Sequence, residues 1–154
     1  MAKKRLIVGD QLPHFILKDE AHQPIDISSI TGKFLVIYFY PKDDTRGCIK
    51  EACSFRDSFQ RLVDAGAVVY GVSSDKPATH ARFKAKYELP FSLLSDTAGE
   101  LRKLLGVPSD LFGLIPGRVT YVFNSEGRLI QKFKSQLSPE KHASVALNVI
   151  RSQS

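Results

Sequence analysis

The sequence predicts an α/β protein built around a mixed β-sheet. Two nearly continuous β-branched and aromatic runs, "KFLVIYFY" (33–40) and "VVYGVSS" (68–74), read as strands buried on both faces. Helix-periodic segments follow each of them. Near the end, "RVTYVFN" and "LIQKF" flank "SEGR" as a hairpin, which makes that part of the sheet antiparallel.

The elements follow in order. Residues 11–33 carry short alternating pieces, "FILKD" and "PIDIS", separated by turn residues, which predicts an N-terminal β-hairpin. The strand at 33–40 comes next. A helix starts at about Cys48 and ends near "DAGA", with Gly66 as its C-terminal cap. After the second buried strand, "KPATHARFKAKY" (76–87) forms an amphipathic helix, and "FSLLSD" and "AGELRKLLG" form a further strand and helix. Beyond the hairpin, Ser138-Pro139-Glu140 opens the last helix, a cap residue followed by proline at the first helical position. No repeat or linker divides the chain, so residues 1–154 are expected to form a single domain with a proper core.

Composition narrows the function. Hydrophobic residues make up 43% and charged residues 25%, as in ordinary soluble domains. No apolar run approaches the roughly 18 residues of a membrane span. The start, "MAKKRLIVGDQLPHF", has too short an apolar stretch for a signal peptide. The expectation is a cytoplasmic protein, or a mature form whose targeting segment is missing. Lysine and arginine outnumber the acids 22 to 16. These bases are scattered ("KKR", then Lys84 and Lys86, then Lys132 and Lys134), which suits a solvated basic surface better than a nucleic-acid site. Two cysteines are too few for a disulfide-stapled scaffold. His14, His22, His80 and His142 are dispersed, with no zinc-like spacing, so no metal is expected. His80 reads as a surface or half-buried residue of a charged helix.

Both cysteines fall within "YPKDDTRGCIKEAC" (40–53). At about 100° per residue, Ala52, Phe55, Phe59 and Leu62 share a sector with Cys48 that points at the core, while Cys53 lies about 140° around the helix. Five helical residues separate the Cα atoms by about 8.6 Å, beyond the roughly 7 Å that a disulfide tolerates. The pair can join only if at least the first turn unwinds.

Cys48 also occupies an activating position. First-turn amides are unpaired, and the positive end of the helix favours an anion there. Gly47 lets the backbone approach a small ligand closely, Thr45 offers a hydroxyl that donates and accepts, and Pro41 ends the strand and stiffens the loop. Free cysteine is more often inert packing than chemistry. Cys53 alone would be read that way, whereas the Thr-x-Gly loop before Cys48 marks it as reactive.

The segment "FYPKDDTRGCIKEACSFRD" resembles the active-site segment of the peroxiredoxins, in the peroxiredoxin Q (bacterioferritin comigratory protein) branch. The family's Pro-x-x-x-Thr-x-x-Cys pattern falls on Pro41, Thr45 and Cys48. "DLFGLIPGRVTYVFN" and "SPEKH" are similar to the same branch, and the resemblance runs from about residue 8 to 150. It implies a thioredoxin-like fold, with a central mixed sheet flanked by helices, and a thiol peroxidase acting on hydrogen peroxide and organic hydroperoxides. Cys48 would be the peroxidatic cysteine and Cys53 the resolving one, joined in an intramolecular disulfide that thioredoxin or a similar dithiol reduces. Arg118 would contact the thiolate and the peroxide, Thr45 would hydrogen-bond sulfur and peroxide, and the Gly47 amide would help bind substrate. Pro41 would keep water out, and Glu51 would orient the arginine from behind. The resemblance implies no cofactor, a monomer, and a cytoplasmic or, in a photosynthetic eukaryote, plastid setting.

Two residues depart from the branch. Arg46 stands where relatives usually carry proline, which loosens the loop and adds a cation near Cys48; Ile49 stands where threonine is common. A peroxide-sensing redox switch using the same disulfide is the alternative reading. A thioredoxin-type oxidoreductase is disfavoured, because exchange wants both sulfurs at one helix end, as in CxxC. "LFGLI" (111–115) reads as loop packing before it reads as an apolar rim for bulky peroxides.

Overall fold

The computed structural model describes residues 5–30, 32–110 and 115–153. Two short strands open it, β1 (Ile16–Lys18) and β2 (Pro24–Asp26), paired antiparallel as the expected hairpin. Then come β3 (Phe34–Phe39), α1 (Arg46–Asp64), β4 (Ala67–Ser73), α2 (Pro77–Tyr87), β5 (Ser92–Ser95) and α3 (Glu100–Leu105). A small ribbon pairs β6 (Ser109–Asp110) with β7 (Ile115–Pro116). β8 (Val119–Phe123), β9 (Leu129–Lys134) and α4 (Lys141–Arg151) complete the chain.

The main sheet has the order β2-β1-β5-β4-β3-β8-β9. β4 lies at its centre, parallel to both β5 and β3, and β3 next to it is antiparallel to β8. The sheet is therefore mixed, as the sequence predicts. Successive strand side chains point to opposite faces, and β3 shows why its run is apolar throughout. Val36, Tyr38 and Tyr40 pack with Phe55 and Leu62 of α1 and Ala146 and Ile150 of α4. Leu35, Ile37 and Phe39 pack on the other face with Leu101 and Leu105 of α3. The layers are helix, sheet, helix: the thioredoxin-like arrangement.

Several boundaries differ from the sequence expectation. α1 begins at Arg46 rather than about Cys48, because Thr45 already accepts the first helical hydrogen bond from Ile49 N–H at 2.8 Å. Gly66, at φ 88°, closes the same helix as expected, its N–H donating to Val63 O at 2.9 Å. α4 begins at Lys141, so Ser138 and Pro139 belong to a preceding turn, in which Lys141 N–H donates to Ser138 O at 3.1 Å. Of "LFGLI", residues 111–114 lie outside the described residues; Lys3 and Lys4 of "KKR" do as well. Among the described residues, no helix is long and apolar enough to cross a membrane.

Candidate active site

With Thr45 as N-cap, Arg46, Gly47 and Cys48 are the first three residues of α1, so their amides have no helical acceptor. Cys48 sits on the core stripe of the helix with Ala52, Phe55 and Leu62, and it is 1% exposed, deeper than the partial shielding its sequence suggests. Cys53, one helical turn further and on another face, is half-buried, and both thiols are free. α1 runs unbroken through both.

The group that approaches Cys48 comes from the start of the strand next to β3. Arg118 immediately precedes β8, whose pairing with β3 carries it back to the start of α1. Its Nη1 lies 3.5 Å from Cys48 Sγ and donates to Glu51 Oε1 at 2.6 Å. Its Nε donates to Gln136 Oε1 at 3.2 Å, and Gln136 Nε2 in turn donates to Pro116 O at 3.3 Å. The guanidinium is thus oriented from two sides before any ligand arrives. Burial opposes its charge, but Glu51 and then Cys48 beside it hold its pKa above the ordinary value.

Gly47 fits this arrangement for a steric reason. A Cβ there would stand 2.8 Å from Arg118 Nη2. Only hydrogen leaves the arginine room to lie over the helix start.

Glu51 is fully buried on α1 between the two cysteines. Burial pushes its carboxyl up to about 8, against the downward pull of Arg118. Its second oxygen, Oε2, has no hydrogen-bond partner among the described residues. His142, at the start of α4, faces it with Nδ1 at 3.4 Å. The other contacts of His142 are Thr120 Oγ1, 2.7 Å from Nδ1, and Ser135 O, 2.9 Å from Nε2. Burial, with Arg118 adding to it, lowers this histidine to about 4, so the ring is neutral near pH 7. Sequence reading passed over His142. Its position on the buried stripe of α4, with Ala143, Ala146, Leu147 and Ile150, was the available signal.

The loop entering α1 is pinned by a second buried cluster. Asp43 accepts from the Tyr40 hydroxyl, lies 2.6 Å from His80 Nδ1 through Oδ2, and receives support at its own N–H from Asp75 Oδ2 at 2.8 Å. His80 Nε2 lies 3.0 Å from Leu94 O. Contrary to the surface or half-buried placement its helix suggests, His80 is fully buried, because α2 turns this face onto β5 and the loop. Asp43, Asp75 and His80 lie close enough together for a metal, but hydrogen bonds within the cluster already engage them.

The other expected site residues lie at the rim. Pro41 is half-buried. Thr45 is exposed and donates its hydroxyl hydrogen to Lys42 O at 2.8 Å, which leaves its oxygen lone pairs for a ligand. Between them Asp44 adopts φ 60°, held by Lys86 Nζ at 3.0 Å and the Tyr87 hydroxyl at 3.2 Å. Arg46 is exposed at the first helical position, where proline is favoured in general.

A family model described as the AhpC/TSA family matches residues 8–132. Chloroplastic peroxiredoxin Q of Sedum lineare is 47% identical over 144 residues, covering 94% of this chain and 77% of that protein. The Arabidopsis thaliana peroxiredoxin Q, also chloroplastic, is 45% identical over 143 residues, covering 93% of this chain and 66% of that protein. Among solved structures, peroxidoxin BcpB of Mycobacterium tuberculosis superposes with a TM-score of 0.87 at 30% identity, covering 96% of this chain and 98% of that one. The bacterioferritin comigratory protein of Xanthomonas campestris, solved in intermediate and ligand complexes bearing on its alkyl peroxide reduction, gives 0.83 at 28% identity, covering 94% and 99%.

Proposed function

The chain belongs to the AhpC/TSA family, in its peroxiredoxin Q branch, and on that premise we propose that it is a thiol-dependent peroxidase in which Cys48 is oxidised and Cys53 resolves. The observation that carries the assignment is Arg118 Nη1 at 3.5 Å from Cys48 Sγ, with the same guanidinium fixed by Glu51 and Gln136. A cation held in place beside a sulfur at a helix start is the electropositive setting in which reactive cysteines occur.

The proposed reaction balances without a cofactor. Cys48 thiolate attacks one peroxide oxygen in line with the O–O bond; the S–O bond forms, the O–O bond breaks, and the sulfur becomes a sulfenic acid. The departing oxygen gathers negative charge and leaves as water or an alcohol after taking a proton. Donors already aimed at this spot, the Arg118 guanidinium and the free amides of Gly47 and Cys48, stabilise that charge. Thr45, its own hydrogen given to Lys42 O, accepts from the peroxide hydroxyl. Pro41 screens the site from water.

Resolution then requires the helix to give way. After residues 48–53 leave α1, Cys53 thiolate attacks the sulfenic sulfur; the S–S bond forms and the S–O bond breaks. The hydroxide that leaves takes a proton from solvent to become water, and the product is the Cys48–Cys53 disulfide. The substrates are peroxides, hydrogen peroxide and organic hydroperoxides. A dithiol, for which we propose thioredoxin, reduces the disulfide by exchange. We place residues 1–154 in one domain acting as a monomer, in the cytoplasm or, as for the plant relatives, in a plastid.

Cys53→Ser tests the division of labour. This variant is expected to consume one peroxide per chain and then stall, with no thioredoxin-supported turnover. Sustained turnover in it would remove Cys53 from the mechanism.

A further inference from the structure

The buried pocket holds one permanent positive charge, Arg118, and two acids that compete for it. Nη1 lies between Glu51 Oε1 at 2.6 Å and Cys48 Sγ at 3.5 Å. If carboxylate and thiolate were both charged beside a neutral His142, the site would carry one net negative charge out of water, a costly state. One proton kept within the pocket removes that cost. The geometry shows where it belongs. Glu51 Oε2 is buried without a hydrogen-bond partner among the described residues, and His142 Nδ1 faces it at 3.4 Å. Two acceptor atoms at that separation, with no hydrogen between them, repel; with one, they attract.

We propose that the Glu51–His142 pair holds the proton that Cys48 gives up, so that the thiolate forms inside the sealed pocket with no change in its net charge. The inference rests on the peroxidase reading and adds His142 to it as a positioning residue that acts through Glu51. The exchange is Cys48–SH with Glu51 carboxylate going to Cys48 thiolate with Glu51 carboxylic acid, the hydrogen lying on the Oε2–Nδ1 line. On Oε2 it gives a neutral acid beside a neutral ring; on Nδ1 it gives a carboxylate beside an imidazolium. Both are neutral overall with Arg118 and the thiolate. It is a statement about where the proton resides at equilibrium and requires no particular path.

The surroundings agree. Ser135 O fixes Nε2 as the donor nitrogen, which leaves the Nδ1 lone pair facing Glu51 and the Thr120 hydroxyl. The groups facing the pair are Arg118 and Thr120 around β8, Cys48 from α1, Tyr38 from β3, Glu140 ahead of α4, and the Phe133 ring, 4.8 Å from His142. Burial, and then Glu51 and Cys48, hold the Tyr38 phenol far above its ordinary value, so it supplies no competing charge. Glu51 raised to about 8 and His142 lowered to about 4 mark the carboxyl as the proton's preferred end.

Counting protons during alkylation tests this. In the Cys53→Ser chain at about pH 9, above the value of about 8 that burial and Arg118 alone give Glu51, thiolate is read from its ultraviolet absorbance, and iodoacetamide is added in weak buffer with a pH indicator. The expected result is a thiolate signal together with one proton released per Cys48 alkylated, because losing the sulfur's charge lets Glu51 ionise against Arg118. Adding Glu51→Gln should keep the thiolate signal and abolish the proton release. A thiolate signal with no proton release in the Glu51-containing chain would overturn the inference and leave the peroxidase reading standing. Absence of the thiolate signal would overturn both. His142→Asn should slow alkylation about tenfold, and combining it with Glu51→Gln should restore the Glu51→Gln rate. Slowness that persists in the double variant would assign His142 a packing role only and overturn its place in the proposal.

Discussion

Arg118 and Glu51 form an ion pair almost sealed from solvent, 2.6 Å apart, with side chains 5% and 0% exposed. Removing Arg118 strands whichever of the two buried acids beside it, Glu51 or Cys48, carries the charge, at a cost of about 3–5 kcal/mol. Arg118→Met is therefore expected to lose that much stability by urea unfolding, and to lose about 10²–10³ in peroxide rate, the scale of a missing charge-stabilising donor. Pairing Arg118→Met with Glu51→Gln should recover much of the stability, since no buried charge is left alone, and none of the rate. Recovery of both would make the arginine structural.

Gly47 offers a substitution in which stability and rate move in opposite directions. Alanine at a helical position is favoured over glycine by about 1 kcal/mol, and the backbone there is not left-handed. The added methyl, however, would stand 2.8 Å from Arg118 Nη2. The clash is with the far end of a long side chain, so the guanidinium can tilt about its Glu51 contact, which spares the fold but moves it away from Cys48. Gly47→Ala is expected to unfold no more easily than the parent and to reduce peroxide at least about tenfold more slowly, on the sensitivity of catalysis to displacements near 1 Å. Stopped-flow oxidation beside a thermal melt checks both signs.

The reach of the sequence follows from the range of the interactions involved. Local periodicity revealed the apolar run of β3, the cysteine stripe on α1 and the glycine that closes that helix, because each is set within a few residues. Glu51 was also legible in principle: three residues after Cys48 it falls on the core-facing side of α1, an odd place for a carboxylate. Arg118 was reachable only through the family resemblance, since 70 residues and the β3–β8 pairing separate it from Cys48. Gln136, Thr120 and His142 join the site through the β8–β9 hairpin and the turn into α4, and no local pattern encodes those meetings. His80 was misplaced for the same reason. Its neighbours in sequence are polar, while its partners, Asp43 and Leu94 O, come from two other segments.

The opposed shifts of Glu51 and His142 predict an unusual pH dependence of folding. Glu51, raised from 4.5 to about 8, keeps a proton in the folded state that the unfolded chain loses, so it favours folding less as pH rises from about 4.5 to 8. His142, lowered from 6.5 to about 4, lacks a proton that the unfolded chain holds, so it favours folding more as pH rises from about 4 to 6.5. The two cancel between about pH 4.5 and 6.5. In a Cys48→Ser chain, where no thiol titrates beside it, Glu51 acts alone above that, and stability should fall toward pH 8 with a slope of up to about 1.4 kcal/mol per unit. Glu51→Gln should abolish this fall and uncover a rise below pH 6.5; His142→Asn should extend the fall down to about 4.5. Urea unfolding across this range separates the three curves, and identical profiles would refute the assigned shifts.

Asp43 ties the entrance loop to the core, and its loss should be felt both in stability and at Cys48. The carboxylate receives the Tyr40 hydroxyl on one oxygen and faces His80 Nδ1 with the other, all three side chains being buried. Burial, with Asp43 beside it, keeps the Tyr40 phenol well above its ordinary value, so the hydroxyl remains a donor. Asp43→Ala leaves two polar groups unsatisfied, each costing about 1–3 kcal/mol. The loop that carries Thr45 would then be held by the residue 43 N–H on Asp75 Oδ2 and by the contacts of Asp44 with Lys86 and Tyr87, which are exposed and weak. The expected outcome is a destabilisation of about 2–5 kcal/mol, faster hydrogen exchange at Asp44 to Gly47, and slower peroxide reduction. His80→Asn should lie between Asp43→Ala and the parent, since Asp43 keeps its Tyr40 and can still receive an amide N–H. Unchanged exchange at the loop in Asp43→Ala would show that the helix start holds its shape without this anchor.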